Sequence, residues 1–329
     1  MMFVSAVCVF LIGSAVAILA AVNPAGDSSN TVTFFVVGDW GREGIENQTK
    51  VAQLMADVGS KHRVPDFIVS TGDNFYPNGL NSTSDPLFDR SYRQVYNQPE
   101  LQVPWYAVLG NHDYGDGLEY CEADDTKEDC ERSPVHQLGT ELVQRDWRWF
   151  CQRQYKLSFD SAGVDMFFID TSPMILEYRD LDWAEYKGGL SVQSWESQLK
   201  EIEAQLKSST ATWKVMVGHH PPRSNGHHGN NSDVMQNLEP LLTTYNVQAY
   251  LAGHDHSLEH MRWSDLNTEY FVSGAGSECD RGFLGTSGSL YQYPWSGFIA
   301  VRISGSEMKV DYYNLEKGTR PSYSTSILM

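Results

Sequence analysis

Five apolar, strand-like segments in this chain each end in a glycine followed by polar side chains able to ligate a metal, and this repeated strand-end chemistry is what most constrains the fold. In chain order the blocks are Gly38-Asp39-Trp40-Gly41, Gly72-Asp73-Asn74-Phe75-Tyr76, Gly110-Asn111-His112-Asp113, Gly218-His219-His220-Pro221 and Gly253-His254-Asp255-His256. Residues 31–37, 67–71 and 104–109, ahead of the first three blocks, are apolar and rich in β-branched and aromatic side chains, as strands buried on both faces require. Between the first two, Val51, Leu54, Met55 and Val58 recur at helical spacing, which gives a strand, helix, strand unit. One Asp or Asn after a strand is ordinary turn chemistry. Successive strands that all end this way point to a ligand site, because such sites gather beyond the carboxyl ends of strands in open α/β sheets.

The remaining pattern extends the same architecture. Residues 86–97, 140–151, 192–206 and 233–245 read as helices, with 155–159 and 164–170 as paired strands around the turn at 160–163. Residues 213–217 and 247–252 are strands that deliver the two histidine-rich blocks, and 269–274, 298–304 and 307–313 are C-terminal strands. Residues 114–153 read as a charged surface loop tied by cysteines, and 174–191 as an exposed excursion. Asp170 at the end of its strand reads as a capped turn rather than a ligand. No linker or repeat divides the chain, so one α/β domain over residues 23–329 is expected.

A hydrophobic content of 41% with 12% aromatic residues supports a large buried core over 329 residues. The formal charge of -18 argues against binding a nucleic-acid backbone or an anionic membrane surface. Residues 2–22 form an apolar run ending in small residues, read as a signal peptide over 1–22 cleaved between 17 and 22; an uncleaved anchor is the alternative. No second apolar span follows, so no membrane association is expected after cleavage. Cys121, Cys130, Cys151 and Cys279 then remain, an even number consistent with two disulfides in an oxidising compartment. Asn47, Asn81 and Asn230 open glycosylation sequons.

The donors themselves are chemically selective. Asp73 is a hard oxygen donor able to bridge two cations, and Tyr76, three residues later, reaches a metal only as a phenolate. A phenol ionises unaided near pH ~10, so the pair favours a trivalent iron over zinc or magnesium. His254 and His256, two apart in a segment expected to be extended, would face one side, a common metal spacing. Four of the ten histidines fall between His219 and His228, the latter part of a Gly-rich loop flexible enough to fold over a site.

Together the five blocks resemble those of the dinuclear metallophosphoesterases, and within them the purple acid phosphatases of the small, mammalian-type (tartrate-resistant) branch, over residues 31–315. Gly41 stands where most metallophosphoesterases carry a histidine, and Tyr76 supplies the donor instead. The resemblance implies a two-sheet α/β sandwich with flanking helices and metals at the carboxyl ends of the strands. It further implies that Asp39, Tyr76 and His256 hold Fe(III), that Asp73 bridges, and that Asn111, His219 and His254 hold a second divalent metal (iron, zinc or manganese). His112 and His228 map onto the family's outer-sphere histidines, with His227 as an alternative to His228. His220 stands where a tyrosine is common, so which of His219 and His220 ligates stays open.

Two metals about 3.5–4 Å apart suit in-line attack of a bound hydroxide on a phosphate ester, with His112 and His228 as acids. The implied activity is hydrolysis of small phosphate monoesters or phosphorylated proteins by a monomer, secreted or lysosomal/vacuolar. A phosphodiesterase or nucleotidase is the competing hydrolase, separable by assaying diesters. A secreted iron-binding protein is the competitor from another class, and the intact His112 and His228 weigh against it.

Overall fold

Two seven-stranded sheets packed face to face account for the continuous apolar runs. The computed structural model describes residues 30–116, 133–185, 188–279 and 282–329. Its strands are β1 (Thr31–Val37), β2 (Phe67–Ser70), β3 (Trp105–Ala107), β4 (Trp149–Cys151), β5 (Gln154–Phe159), β6 (Val164–Ile169) and β7 (Trp213–Val217). The C-terminal half adds β8 (Ala249–Ala252), β9 (Leu258–Met261), β10 (Glu269–Ser273), β11 (Ser289–Tyr293), β12 (Gly297–Ser304), β13 (Glu307–Asn314) and β14 (Tyr323–Leu328). One sheet has the order β14-β13-β12-β1-β2-β3-β4 and the other β11-β9-β10-β8-β7-β6-β5. β1 to β4 run parallel, as do β6, β7, β8 and β10, while the remaining pairs are antiparallel.

Alternate residues of each central strand serve two cores. Phe34 and Val36 of β1, Met166 and Phe168 of β6, and Val215 and Val217 of β7 meet between the sheets. Their neighbours Phe35, Val37, Phe167, Ile169 and Met216 face outward into helix-covered cores, the two-sided burial that parallel strands require. Helix Gln48–Lys61 buries Val51, Leu54, Met55 and Val58, as its spacing predicts. On the other sheet, helix Trp195–Ser208 buries Ile202 and Leu206, and helix Ser232–Thr244 buries Val234, Leu238 and Leu242. Ser194 and Asn231 cap these two helices, accepting from the amides of Ser197 and Val234. The expected two-sheet α/β sandwich is thus the observed fold.

Several local expectations are corrected. The helix expected over 86–97 is one turn, Pro86–Phe88, followed by a wider π turn, Asp89–Arg93. Phe88, Tyr92 and Tyr96 are buried in an aromatic cluster that includes Trp40, Phe75, Trp105 and Trp149. The helix expected to reach 151 stops at Arg145, and Trp149–Cys151 instead pairs with β3, so tertiary pairing overrides local pattern. The 174–191 excursion is only partly exposed: among its described residues, Tyr178, Trp183, Ala184 and Leu190 are buried in short 3-10 turns.

Cys151 is a free thiol buried in the core beside Trp149, so the two-bridge pairing expected of four cysteines does not form. Cys121 and Cys130 lie outside the described residues, as does the 1–22 leader. No described helix is long and apolar enough to cross a membrane. Among the sequons, Asn81 and Asn230 are exposed, whereas the Asn47 side-chain nitrogen donates to Ser296 Oγ at 2.9 Å.

Asp165 on β6 ties three elements together, accepting from Ser158 Oγ at 2.6 Å, Ser209 Oγ at 2.5 Å and Lys156 Nζ at 3.1 Å. Burial pushes its carboxyl up, but the hydrogen bonds outweigh this and hold it below the ordinary carboxylate value. A depressed carboxyl stabilises the fold above its unfolded pKa of about 3.9, and that contribution fades as the pH falls through the lower folded value. Asp165→Asn is therefore expected to cost about 1–2 kcal/mol at pH ~7 in denaturant unfolding, with the gap closing below about pH 4.

Candidate metal centre

The strand ends turn sharply to present their donors. Asp39, Asp73 and His254 all adopt left-handed backbone, with φ of 59°, 50° and 69°, conformations that favour glycine. Such strain, on the order of 1–3 kcal/mol per residue, persists where packing over-determines it, and it clusters at functional sites. His254 and His256 therefore converge through a left-handed bend, not through the strand alternation the spacing suggested.

Close backbone approach explains two of the glycines. A β-carbon at Gly110 would lie 2.2 Å from Asp73 Oδ1, and one at Gly41 would lie 1.8 Å from the Asn74 carbonyl oxygen. The Tyr76 amide donates to the Gly41 carbonyl at 2.9 Å. The segment that carries Tyr76 thus occupies the space that any side chain at residue 41 would need. The absence of a histidine there and the presence of the tyrosine are one packing decision.

Asp73 lies between two groups of donors. Its Oδ2 is 3.1 Å from Tyr76 Oη and 3.3 Å from His219 Nε2, while Oδ1 accepts from the His112 amide at 2.9 Å. On one side, Tyr76 Oη is also 3.3 Å from Asp39 Oδ1 and 3.0 Å from His256 Nε2. On the other, His219 Nε2 is 3.0 Å from Asn111 Oδ1, and the His254 ring centroid is 5.1 Å from that of His219. Asp39 is oriented by the His254 amide, which reaches its two oxygens at 3.2 and 3.0 Å. The Asn111 amide nitrogen donates to Asp116 Oδ2 at 2.8 Å, leaving Oδ1 turned to the cluster. All seven sequence-predicted donors come together.

Hydrogen bonding separates the paired histidines. His219 Nδ1 must donate to the Thr71 carbonyl, 2.8 Å away, because a carbonyl only accepts. Its Nε2 therefore faces the oxygens of Asp73 and Asn111. His220 has both ring nitrogens engaged, Nδ1 with Thr171 Oγ1 at 2.8 Å and Nε2 with Tyr178 Oη at 3.1 Å. His112 Nδ1 donates to the Pro77 carbonyl at 2.6 Å, and its ring lies 4.5 Å from that of Tyr76. The His228 ring packs 4.1 Å from that of His254, while His227 packs on His228; both residues are exposed.

The chemistry of the donor set fits cations. Asp39 and Asp73 are buried, and lone pairs of two carboxylates, an amide oxygen and several imidazoles face one another. Left to protons alone, burial and repulsion from Asp73 push the Asp39 carboxyl well above its ordinary range, although His219 opposes them. Burial and the two carboxylates push the Tyr76 phenol well above 10. Burial pulls His219 down, yet Asp73 and Asp39 outweigh it and bring the imidazole up to about 10. Burial, reinforced by Arg42, takes His256 down to about 3, and burial with neighbouring histidines takes His254 far below its usual value. The cluster thus keeps His254 and His256 neutral with ligand lone pairs available, as a metal site requires, and its negative charge draws onto His219 a proton that a bound cation would displace.

The supporting residues were not legible beforehand. Asp113 accepts from the amides of Gly110 and Asn74, both at 2.9 Å, fastening the second and third blocks together. Asp255 accepts from the His228 amide at 2.7 Å and from Ser224 Oγ, and Glu259 accepts from Asn225 through its amide at 3.0 Å and its side chain at 2.8 Å. The Gly-rich loop expected to be flexible is therefore held down by two buried carboxylates.

A two-sheet sandwich with these donors at its strand ends is the architecture of a calcineurin-like phosphoesterase, and the family model of that description matches residues 32–258. The chain is 37% identical over 321 residues to purple acid phosphatase 3 of Arabidopsis thaliana, spanning 94% of this chain and 81% of the relative. It is 29% identical over 312 residues to tartrate-resistant acid phosphatase type 5 of Homo sapiens, spanning 88% of this chain and 89% of that one. The chain belongs to the purple acid phosphatases, metal-dependent phosphoric monoester hydrolases within the wider family. A solved structure titled GAP50, the anchor in the inner membrane complex of Plasmodium, superposes with a TM-score of 0.70 at 22% identity, covering 91% of this chain and 89% of its own. That likeness concerns the fold alone, so the chemistry rests on the donors.

Gly41→Ala is expected to destabilise the protein by about 2 kcal/mol or more, because its methyl must displace the Asn74 carbonyl. Denaturant unfolding measures the loss, and metal content after purification should fall with it as Tyr76 loses its register.

Proposed function

We propose that the protein is a secreted or lysosomal/vacuolar acid phosphatase that hydrolyses phosphate monoesters at a dinuclear centre of Fe(III) and a divalent metal. In this reading Asp39, Tyr76 and His256 hold the ferric ion, Asp73 bridges, and Asn111, His219 and His254 hold the second ion, which is iron, zinc or manganese. The observation that carries it is Tyr76 Oη, lying within 3.3 Å of Asp39, Asp73 and His256. Burial and two carboxylates oppose ionisation of that phenol. A trivalent cation is the partner that overcomes such opposition, which supports iron over zinc at this position. When bound, the two cations supply Lewis acidity toward phosphoryl oxygens and water.

The chain's own residues do the rest. His112 is fixed at both its backbone and Nδ1, by Asp73 and Pro77, which leaves Nε2 to donate a proton. His228, anchored through its amide by Asp255 and packed on His254, is the second donor to the developing charge on the phosphoryl group and leaving alkoxide. Small phosphate monoesters and phosphorylated proteins are the proposed substrates, and a cleaved 1–22 leader delivers the monomer to its secreted or lysosomal/vacuolar location.

Metal analysis with visible spectroscopy tests the assignment. The aerobically purified protein should contain two metals per chain, at least one of them iron, and be coloured by phenolate-to-iron charge transfer. Tyr76→Phe should be colourless; a Tyr76→Phe protein that keeps the colour would refute the ligand role. His112→Ala and His228→Ala should retain both metals while kcat falls by about 10²–10⁴-fold. Loss of metal in those variants would contradict their role as acids.

A further inference from the structure

Arg42 is a cation beside a cluster built to hold cations, and its position needs a reason. Its guanidinium carbon lies 3.7 Å from the centroid of the Tyr76 ring, well inside the ~6 Å within which a cation is attracted to an aromatic face. The head group is held there by Glu278, whose Oε2 is 2.7 Å from Nη2. The backbone is registered as well: the Arg42 amide donates to Gln48 Oε1 at 3.1 Å, and the preceding Gly41 carbonyl accepts from the Tyr76 amide. Arg42 Nε is buried without a hydrogen-bond partner, so ring contact rather than hydrogen bonding fills that side of the guanidinium.

A guanidinium is attracted to the face of a neutral phenol, and a phenolate adds negative charge to that π system, so ionised Tyr76 gains more from the same stack. We propose that Arg42 is a positioning and tuning residue for Tyr76. Its stacked guanidinium holds the ring toward Asp39, Asp73 and His256 and lowers the energy of the filled phenolate orbitals from which charge is transferred to iron. The inference rests on Tyr76 ligating iron. It assigns Arg42 and Glu278 a part in setting the electronic character of the centre, outside the donor set and the acid histidines.

The prediction is spectroscopic. Removing the guanidinium raises the donor orbitals, so the visible charge-transfer band of the iron-loaded full chain should move to longer wavelength in Arg42→Leu, by on the order of 10 nm. Arg42→Lys, which keeps the charge without the planar stack, should return part of the shift. Glu278→Gln leaves the Tyr76 segment untouched and, by releasing the guanidinium from its anchor, should shift the band by less than Arg42→Leu does; it decides the matter if Arg42→Leu does not fold. Absorbance per bound iron distinguishes tuning from displacement, because a displaced Tyr76 loses intensity without a matching shift of the maximum. A coloured wild type whose band maximum superimposes on those of Arg42→Leu and Glu278→Gln would overturn the inference while leaving Tyr76 as a ligand. A colourless iron-loaded wild type would overturn both.

Discussion

The Asp73 carboxylate, buried between Tyr76 on one side and His219 on the other, is the contact on which the rest of the site depends. A carboxylate removed from water needs compensating positive charge or hydrogen-bond donors. Among the described residues one backbone amide, that of His112, donates to Asp73, and Tyr76 Oη and His219 Nε2 supply the side-chain contacts. Left-handed backbone at Asp73, and also at Asp39 and His254, brings the side chains inward at the strand ends. The two tightly packed sheets below supply the rigidity that keeps this strained geometry in place.

From this follows a division of labour between layers. The inter-sheet core fixes the parallel strands in register, and the outer aromatic cluster around Trp40 fixes the loop between β1 and helix Gln48–Lys61. Trp40 follows Asp39 directly and its Nε1 donates to Ser70 Oγ at 2.8 Å, so the packing of one indole couples the first two donor blocks. A third layer of buried carboxylates, Asp113, Asp255 and Glu259, orients the loops that carry His112 and His228. The donors are thereby placed by packing, and His112 and His228 by hydrogen bonds from their own backbone amides.

Much of this was legible in the sequence, and the reasons differ by element. β1, β2, β7 and β8 are buried on both faces and read as unbroken apolar runs, so their ends, and the donors there, were visible. β11 and β14 at the sheet edges are half-exposed and carry mixed polar and apolar residues, and β4 has three residues; none of these has a local signal stronger than its tertiary pairing. The convergence of His254 and His256 was foreseen for the wrong reason, since a left-handed bend does what alternation was expected to do. Cys151 shows the limit of counting cysteines, because it is a free thiol within the core. The distinction between His219 and His220 depends on Thr171 and Tyr178, residues tens of positions away, and only the fold reveals it.

Anomalous diffraction from crystals of the metal-loaded protein, recorded across the iron absorption edge, tests the central claim most directly. The account predicts two peaks flanking the Asp73 carboxylate, with iron on the side of Tyr76, Asp39 and His256 and the second metal beside Asn111, His219 and His254. A single peak, or two peaks that do not share Asp73, would contradict it.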